Sequence, residues 1–161
     1  MVHRNILGIV LFAGFVSILG VLPVTAQNRD LHHLYDLTGE SVGLVGYDPV
    51  AYFPDGGGHP QKGLFKLSFE FDGVTYRFAT QENLDRFKAA PSKYLPQYGG
   101  WCSFGAAVNG RFDVDPESFV IREGKLYLFH RDPGFSGREA WLKDPEAMLK
   151  KSEANWPSLS K

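Results

Sequence analysis

Cysteine is almost missing from this sequence: its 161 residues include one, Cys102. A single thiol closes no internal disulfide and builds no two- or four-thiolate metal site. A basic excess is missing as well. Seventeen Lys and Arg stand against eighteen Asp and Glu, a net charge of −1. Nothing in that balance would neutralise a phosphate backbone, so nucleic acid is excluded as an expected partner. No internal repeat, low-complexity run or linker divides the chain, which points to a single domain. Hydrophobic residues at 43% and charged residues at 22% exclude a disordered polar chain. Aromatic residues are abundant: thirteen Phe, seven Tyr and three Trp, which a folded core must absorb.

Residues 1–26 have the pattern of an export signal. His3 and Arg4 give a weakly basic start, and Ile6 to Leu22 is an unbroken apolar and small-residue run. Pro23 then breaks any helix, and Val24-Thr25-Ala26 puts small residues where cleavage after Ala26 requires them. A retained anchor is the alternative, because the run reaches the lower limit of a membrane-spanning helix. The break and the cleavage site favour removal. No cysteine lies near residue 26 to carry a lipid, so a lipoprotein is excluded. The expected product is periplasmic or secreted, without a stable membrane span. In an oxidising compartment an unpaired thiol must be buried, bound, or at risk of oxidation.

In the N-terminal extension, 27–45, the spacing of Leu31, Leu34 and Tyr35 predicts one or two helical turns. The prolines and glycines of 46–63 (GYDPVAYFPDGGGHPQKG) predict a loop around a short strand at Val50–Phe53. In Leu64–Phe71, Phe65, Leu67, Phe69 and Phe71 alternate with polar residues, as in a half-buried strand. Asp72-Gly73 suits a two-residue hairpin turn, and Val74–Ala79 returns with Val74, Tyr76 and Phe78 on one face. Thr80 is placed to cap a helix from Gln81 to about Ala90, with Leu84 and Phe87 inward. Pro91 ends that helix and starts a further turn through Tyr94. A second hairpin is expected from Phe119–Ile121 through Glu123-Gly124 to Leu126–Phe129. Asp144-Pro145 opens a last helix to about Asn155, which Trp156-Pro157 closes. The expected fold is a small single α+β domain of antiparallel hairpins with a few short helices.

The segments GYDPVAYF (46–53), GVTYRFATQENLDRFKAAPSKYL (73–95) and PQYGGWC (96–102) carry a family resemblance. The chain resembles the YHS domain family, in particular its stand-alone exported members. The core of the resemblance covers about 46–95, and GKLYLF (124–129) with Trp156-Pro157 extends it over 46–157. YHS domains with a metal role carry cysteines after the Asp-Pro-Val and at two places on the strand-to-helix turn. The matching positions here are Ala51, Ala79 and Asn83. Alanine offers no lone pair, and an asparagine carbonyl is a hard ligand ill suited to Cu⁺ or Zn²⁺. The resemblance therefore implies the fold without supplying the metal site.

Cys102 is the first candidate for chemistry, as a soft ligand for a copper ion, with His130 the histidine nearest to a strand end. Against this stands a small buried hydrophobe, since free cysteine is among the most buried residue types. A nucleophilic Cys102 would need His130 as base, oriented by Asp113 or Asp115. No cysteine-hydrolase signature surrounds it, and the chain is not expected to be an enzyme. His32 and His33 are adjacent, so their side chains diverge and are expected to face solvent. Asp48 precedes Pro49, which keeps it extended, and its carboxylate is expected to cap the local turn. Asp113 and Asp115 share a face if 111–115 is extended, although Pro116 favours Asp115 as a turn cap. The Asp55–His59 loop lacks the lysine and following helix of a phosphate cradle. Tyr47, Asp48, Tyr52, Tyr98 and Trp101 are candidates to line a small-ligand pocket, with Gly99 and Gly100 allowing close backbone approach. Two functions follow as expectations. One is a non-enzymatic exported binding module holding copper or another soft metal. The other is a metal-free small-ligand or protein-interaction domain with Cys102 in the core.

Overall fold

A computed structural model describes residues 34–37 and 40–161. The export signal, Leu31 and the His32-His33 pair lie outside the described residues. The architecture is a small α+β domain. A four-stranded sheet has the order β1 (Leu34–Leu37), β2 (Glu40–Gly43), β4 (Val74–Phe78), β3 (Leu64–Phe71). Its pairings are antiparallel except for the parallel Val42–Thr75 contact that joins β2 to β4. A separate hairpin pairs β5 (Asp115–Arg122) with β6 (Lys125–Phe129), and β7 (Arg131–Asp132) with β8 (Phe135–Ser136) makes a small third one. The helices are α1 (Gln81–Ala89), α2 (Pro91–Tyr94), α3 (Ser103–Ala107), α4 (Gly137–Leu142) and α5 (Pro145–Leu159).

Local chemistry places most of these elements. Asp72 and Gly73 take φ of 54° and 78°, and Glu123 and Gly124 take 51° and 70°, so both hairpins turn through two left-handed residues. Thr80 Oγ1 accepts from the Asn83 N–H at 3.1 Å, and Asp144 Oδ1 accepts from the Ala147 N–H at 3.1 Å, capping α1 and α5.

Three expectations need correction. Leu34 and Tyr35 lie in β1, not in a helical turn, because the β2 backbone offers a complete antiparallel ladder to a segment too short to hold helix alone. Val50–Phe53 is a run of turns, not a strand. The Asp48 carboxylate captures the Val50 and Ala51 N–H groups, and the Phe53 N–H bonds back to the Val50 carbonyl at 3.0 Å. Trp156-Pro157 does not close the last helix, which runs to Leu159. So near the end of a helix proline costs one hydrogen bond without blocking the final turn.

The β6 run Leu126–Phe129 is apolar without alternation because both of its faces are covered. Leu126 and Leu128 join the main core, with Val50, Tyr52, Val74, Tyr76, Phe78 and Phe87 among its members. Tyr127 and Phe129 join a second cluster with Cys102 and Trp141. α5 docks on α3 through polar groups. Asn155 Nδ2 donates to the Ala106 and Ala107 carbonyls at 3.0 and 3.1 Å, and Ser152 Oγ lies 3.1 Å from the Ser103 carbonyl. These contacts engage backbone acceptors at both the first and the last turn residues of α3 and so fix the helix that Cys102 begins.

Candidate functional site

Cys102 is fully buried at the N-cap of α3. Its Sγ accepts from the Gly105 and His130 N–H groups, each at 3.3 Å. Burial pushes the thiol pKa above its ordinary value, while the N–H groups of His130, Gly105 and Phe104 pull the other way. The Cys102 N–H in turn donates to the Phe112 carbonyl at 3.1 Å. A Cβ on Gly105 would sit 2.6 Å from Phe112 Cδ2 and 3.0 Å from the Gly110 carbonyl oxygen, so a larger residue here would have to displace the Phe112 ring. Native Cys102 should therefore react with a polar disulfide reagent about a thousandfold more slowly than in denaturant. Comparable rates in native buffer and denaturant, followed by thiol release, would contradict this.

Cys102 and His130 lie 28 residues apart and meet at one hollow of about 370 Å³. Phe104, Val108, Phe112, Asp132 and Phe135 complete its lining. The His130 ring lies between Phe112 and Phe135, with centroids 6.4 and 6.3 Å away. Its Nδ1 is 3.1 Å from the Asp113 carbonyl and its Nε2 is 2.8 Å from Asp132 Oδ2. The Asp132 hydrogen bond raises the imidazole pKa above its ordinary value, with the Asp113 carbonyl adding to it and burial opposing. Both ring nitrogens are thus engaged away from the thiol. His130 meets Cys102 through its backbone N–H, which is not the arrangement of a general base. Among the described residues, no group of three or more His, Cys, Asp or Glu side chains is placed to hold a metal ion. The buried thiol is thus bound by two backbone N–H groups and lies beside an imidazole engaged on both sides.

The five residues expected to line one pocket are distributed over separate environments. Tyr47 borders a different hollow, with Lys62 and Arg77. Tyr52 is buried, and its hydroxyl donates to the Pro116 carbonyl at 2.9 Å. Tyr98 packs on Tyr127 and Trp156, and the Arg111 guanidinium lies 5.3 Å from the Trp101 ring centre. Asp48 is fully buried and serves as an acceptor. Oδ1 receives the Val50 and Ala51 N–H groups at 2.8 and 3.3 Å, and Oδ2 receives the Ala79 N–H and Asn83 Nδ2 at 2.8 and 2.7 Å. The turn-capping role expected of it is present and extends to the strand-to-helix turn. Ala51, Ala79 and Asn83, the positions where the resemblance implies thiolates, therefore converge on one carboxylate. Asp115 Oδ1 likewise caps the Glu117 N–H, at 2.9 Å, while its other oxygen pairs with Arg131. The Asp55 loop is tied down, with Oδ2 receiving Lys93 Nζ at 2.6 Å and the Tyr94 hydroxyl at 2.8 Å.

The sequence named Cys102 and His130 together as candidate metal ligands and as candidate nucleophile and base. Their shared hollow, and the part played in it by Val108, Phe112 and Phe135, was missed, because those residues carry no motif and no periodicity. No family model, curated protein or solved structure matches the chain.

Proposed function

We propose that the protein is an exported, non-enzymatic binding module of the YHS type whose ligand is a small apolar molecule seated in the hollow above Cys102. One observation carries this reading. Val108, Phe112 and Phe135, exposed at 52%, 47% and 44%, gather around a single concavity. Large apolar side chains left in water at one place mark binding surfaces, whereas scattered ones need no explanation. The volume of about 370 Å³ falls within the range of small-molecule sites. His130 and Asp132 supply the polar edge that would orient a ligand. The pattern of residues 1–26 supports export.

Indole is a suitable probe. On titration into isotopically labelled protein, the amide signals of Gly105 and His130 should shift saturably, and Phe112→Ala should weaken binding about tenfold. The absence of any shift in these amides would defeat the proposal. Cu⁺ delivered from a competing chelator tests the soft-metal alternative. Stoichiometric uptake lost in Cys102→Ala would establish that reading in its place.

A further inference from the structure

A second hollow, also about 370 Å³, lies at the turn that follows β2. Its apolar walls are Val45, Tyr47 and Pro116, Gly46 and Gly63 add backbone, and Lys62 and Arg77 add two cations. No acidic residue is among the lining, although Glu117 Oε1 lies 3.4 Å from the Tyr47 hydroxyl, and the Arg77 guanidinium stands 5.2 Å from the Phe65 ring centre. Tyr47 and Lys62 form an antiparallel bridge, and the Gly63 N–H donates to the Gly46 carbonyl at 2.9 Å. A Cβ on Gly63 would lie 2.3 Å from the Arg77 carbonyl carbon, so only glycine lets this segment seat against β4. That close approach brings Lys62 and Arg77 to the same concavity. The Lys62 ammonium stands 5.9 Å from the Tyr47 ring centre and makes no ion pair among the described residues.

The wall is also strained. Leu44, Val45 and Gly46 have φ of 57°, 54° and 77° in succession. A β-branched residue in the left-handed region is a true outlier, and such outliers persist where the surroundings over-determine them, often at ligand sites.

We infer that this hollow binds a small organic carboxylate, with its anion at Lys62 and Arg77 and its apolar body against Tyr47, Val45 and Pro116. A guanidinium matches a carboxylate through paired N–H donors, and an ammonium adds a point charge. The apolar walls favour a singly charged organic acid over inorganic phosphate, which carries no surface for them to cover. The site is independent of the Cys102 hollow.

The test is titration of the labelled protein with benzoate, benzyl alcohol and inorganic phosphate in parallel. Benzoate should shift the Gly46 and Gly63 amides saturably while leaving Gly105 and His130 unmoved. Its affinity should fall as salt screens the charges. Lys62 is exposed, so Lys62→Gln and Lys62→Glu should fold. The first should weaken benzoate by about threefold and the second by about tenfold. Equal binding of benzyl alcohol, tighter binding of phosphate, unchanged benzoate affinity in Lys62→Glu, or no shift at Gly46 and Gly63 would each overturn the assignment.

Discussion

Replacing Asp48 by alanine is expected to destabilise the protein by about 3–5 kcal/mol, seen as a large fall in the denaturant midpoint at unchanged slope. Asp48 is completely buried, and its two oxygens serve four N–H donors, all on neutral groups. Truncation takes the acceptor from the Val50 and Ala79 N–H groups and the Asn83 amide, while the Ala51 N–H keeps the Asp48 carbonyl at 3.2 Å. A buried orphan donor costs about 1–3 kcal/mol, and local relaxation recovers part of the total. Asp48→Asn keeps the shape but turns one acceptor into a donor facing the Ala79 N–H and the Asn83 amide, or else the Val50 and Ala51 N–H groups. It should cost about 2 kcal/mol. If both variants unfold within about 0.5 kcal/mol of the parent, the carboxylate does not hold the 48–51 turn to the start of α1.

Phe87→Ala should cost a comparable amount, about 3–5 kcal/mol. Phe87 lies on the inner face of α1 and is fully buried. Its ring meets Tyr76 and Phe78 of β4 at 5.2 and 5.1 Å, and Phe71 of β3 at 5.9 Å. Tyr94 of α2 stacks near it at 6.5 Å. These partners come from three elements, so no single one can close over the space an alanine leaves. Phe87→Leu keeps most of the volume and should lose well under half as much. Chemical denaturation of both variants provides the comparison. Equal losses would show that ring geometry, not filled volume, sets the cost.

The two substitutions differ in how readable they were. Phe87 was legible. It sits three residues after Leu84 in a segment opened by a capping threonine, and that spacing defines an inner face. Asp48 was half legible. Pro49 fixed its backbone and suggested a turn cap, but its contact with Asn83 spans 35 residues, beyond any local rule. The β6 run Leu126–Phe129 was read correctly as a strand, yet the apolar stretch could not reveal that its two faces serve different clusters. α3 was not legible at all. Ser103–Ala107 is five residues with a central glycine, too short to hold helix alone, and it is tied down by the Cys102 cap and by Asn155 of α5 on its last carbonyls. Val50–Phe53 was misread because a short apolar run suits any buried segment, and the hydrogen bonds of Asp48 decided its conformation.

What the sequence by itself determined was local: the two-residue hairpin turns, the Thr80 and Asp144 caps, the inner face of α1 and the α+β class. Turn geometry and capping are settled by hydrogen bonds within a few residues, so composition and order specify them. Only the tertiary structure decided that Cys102 is an N-cap beneath an apolar hollow, that both His130 nitrogens are engaged, and that Lys62 and Arg77 share a concavity. Burial and the occupancy of donors and acceptors depend on which distant segments arrive together, and one chain's order of residues does not state that.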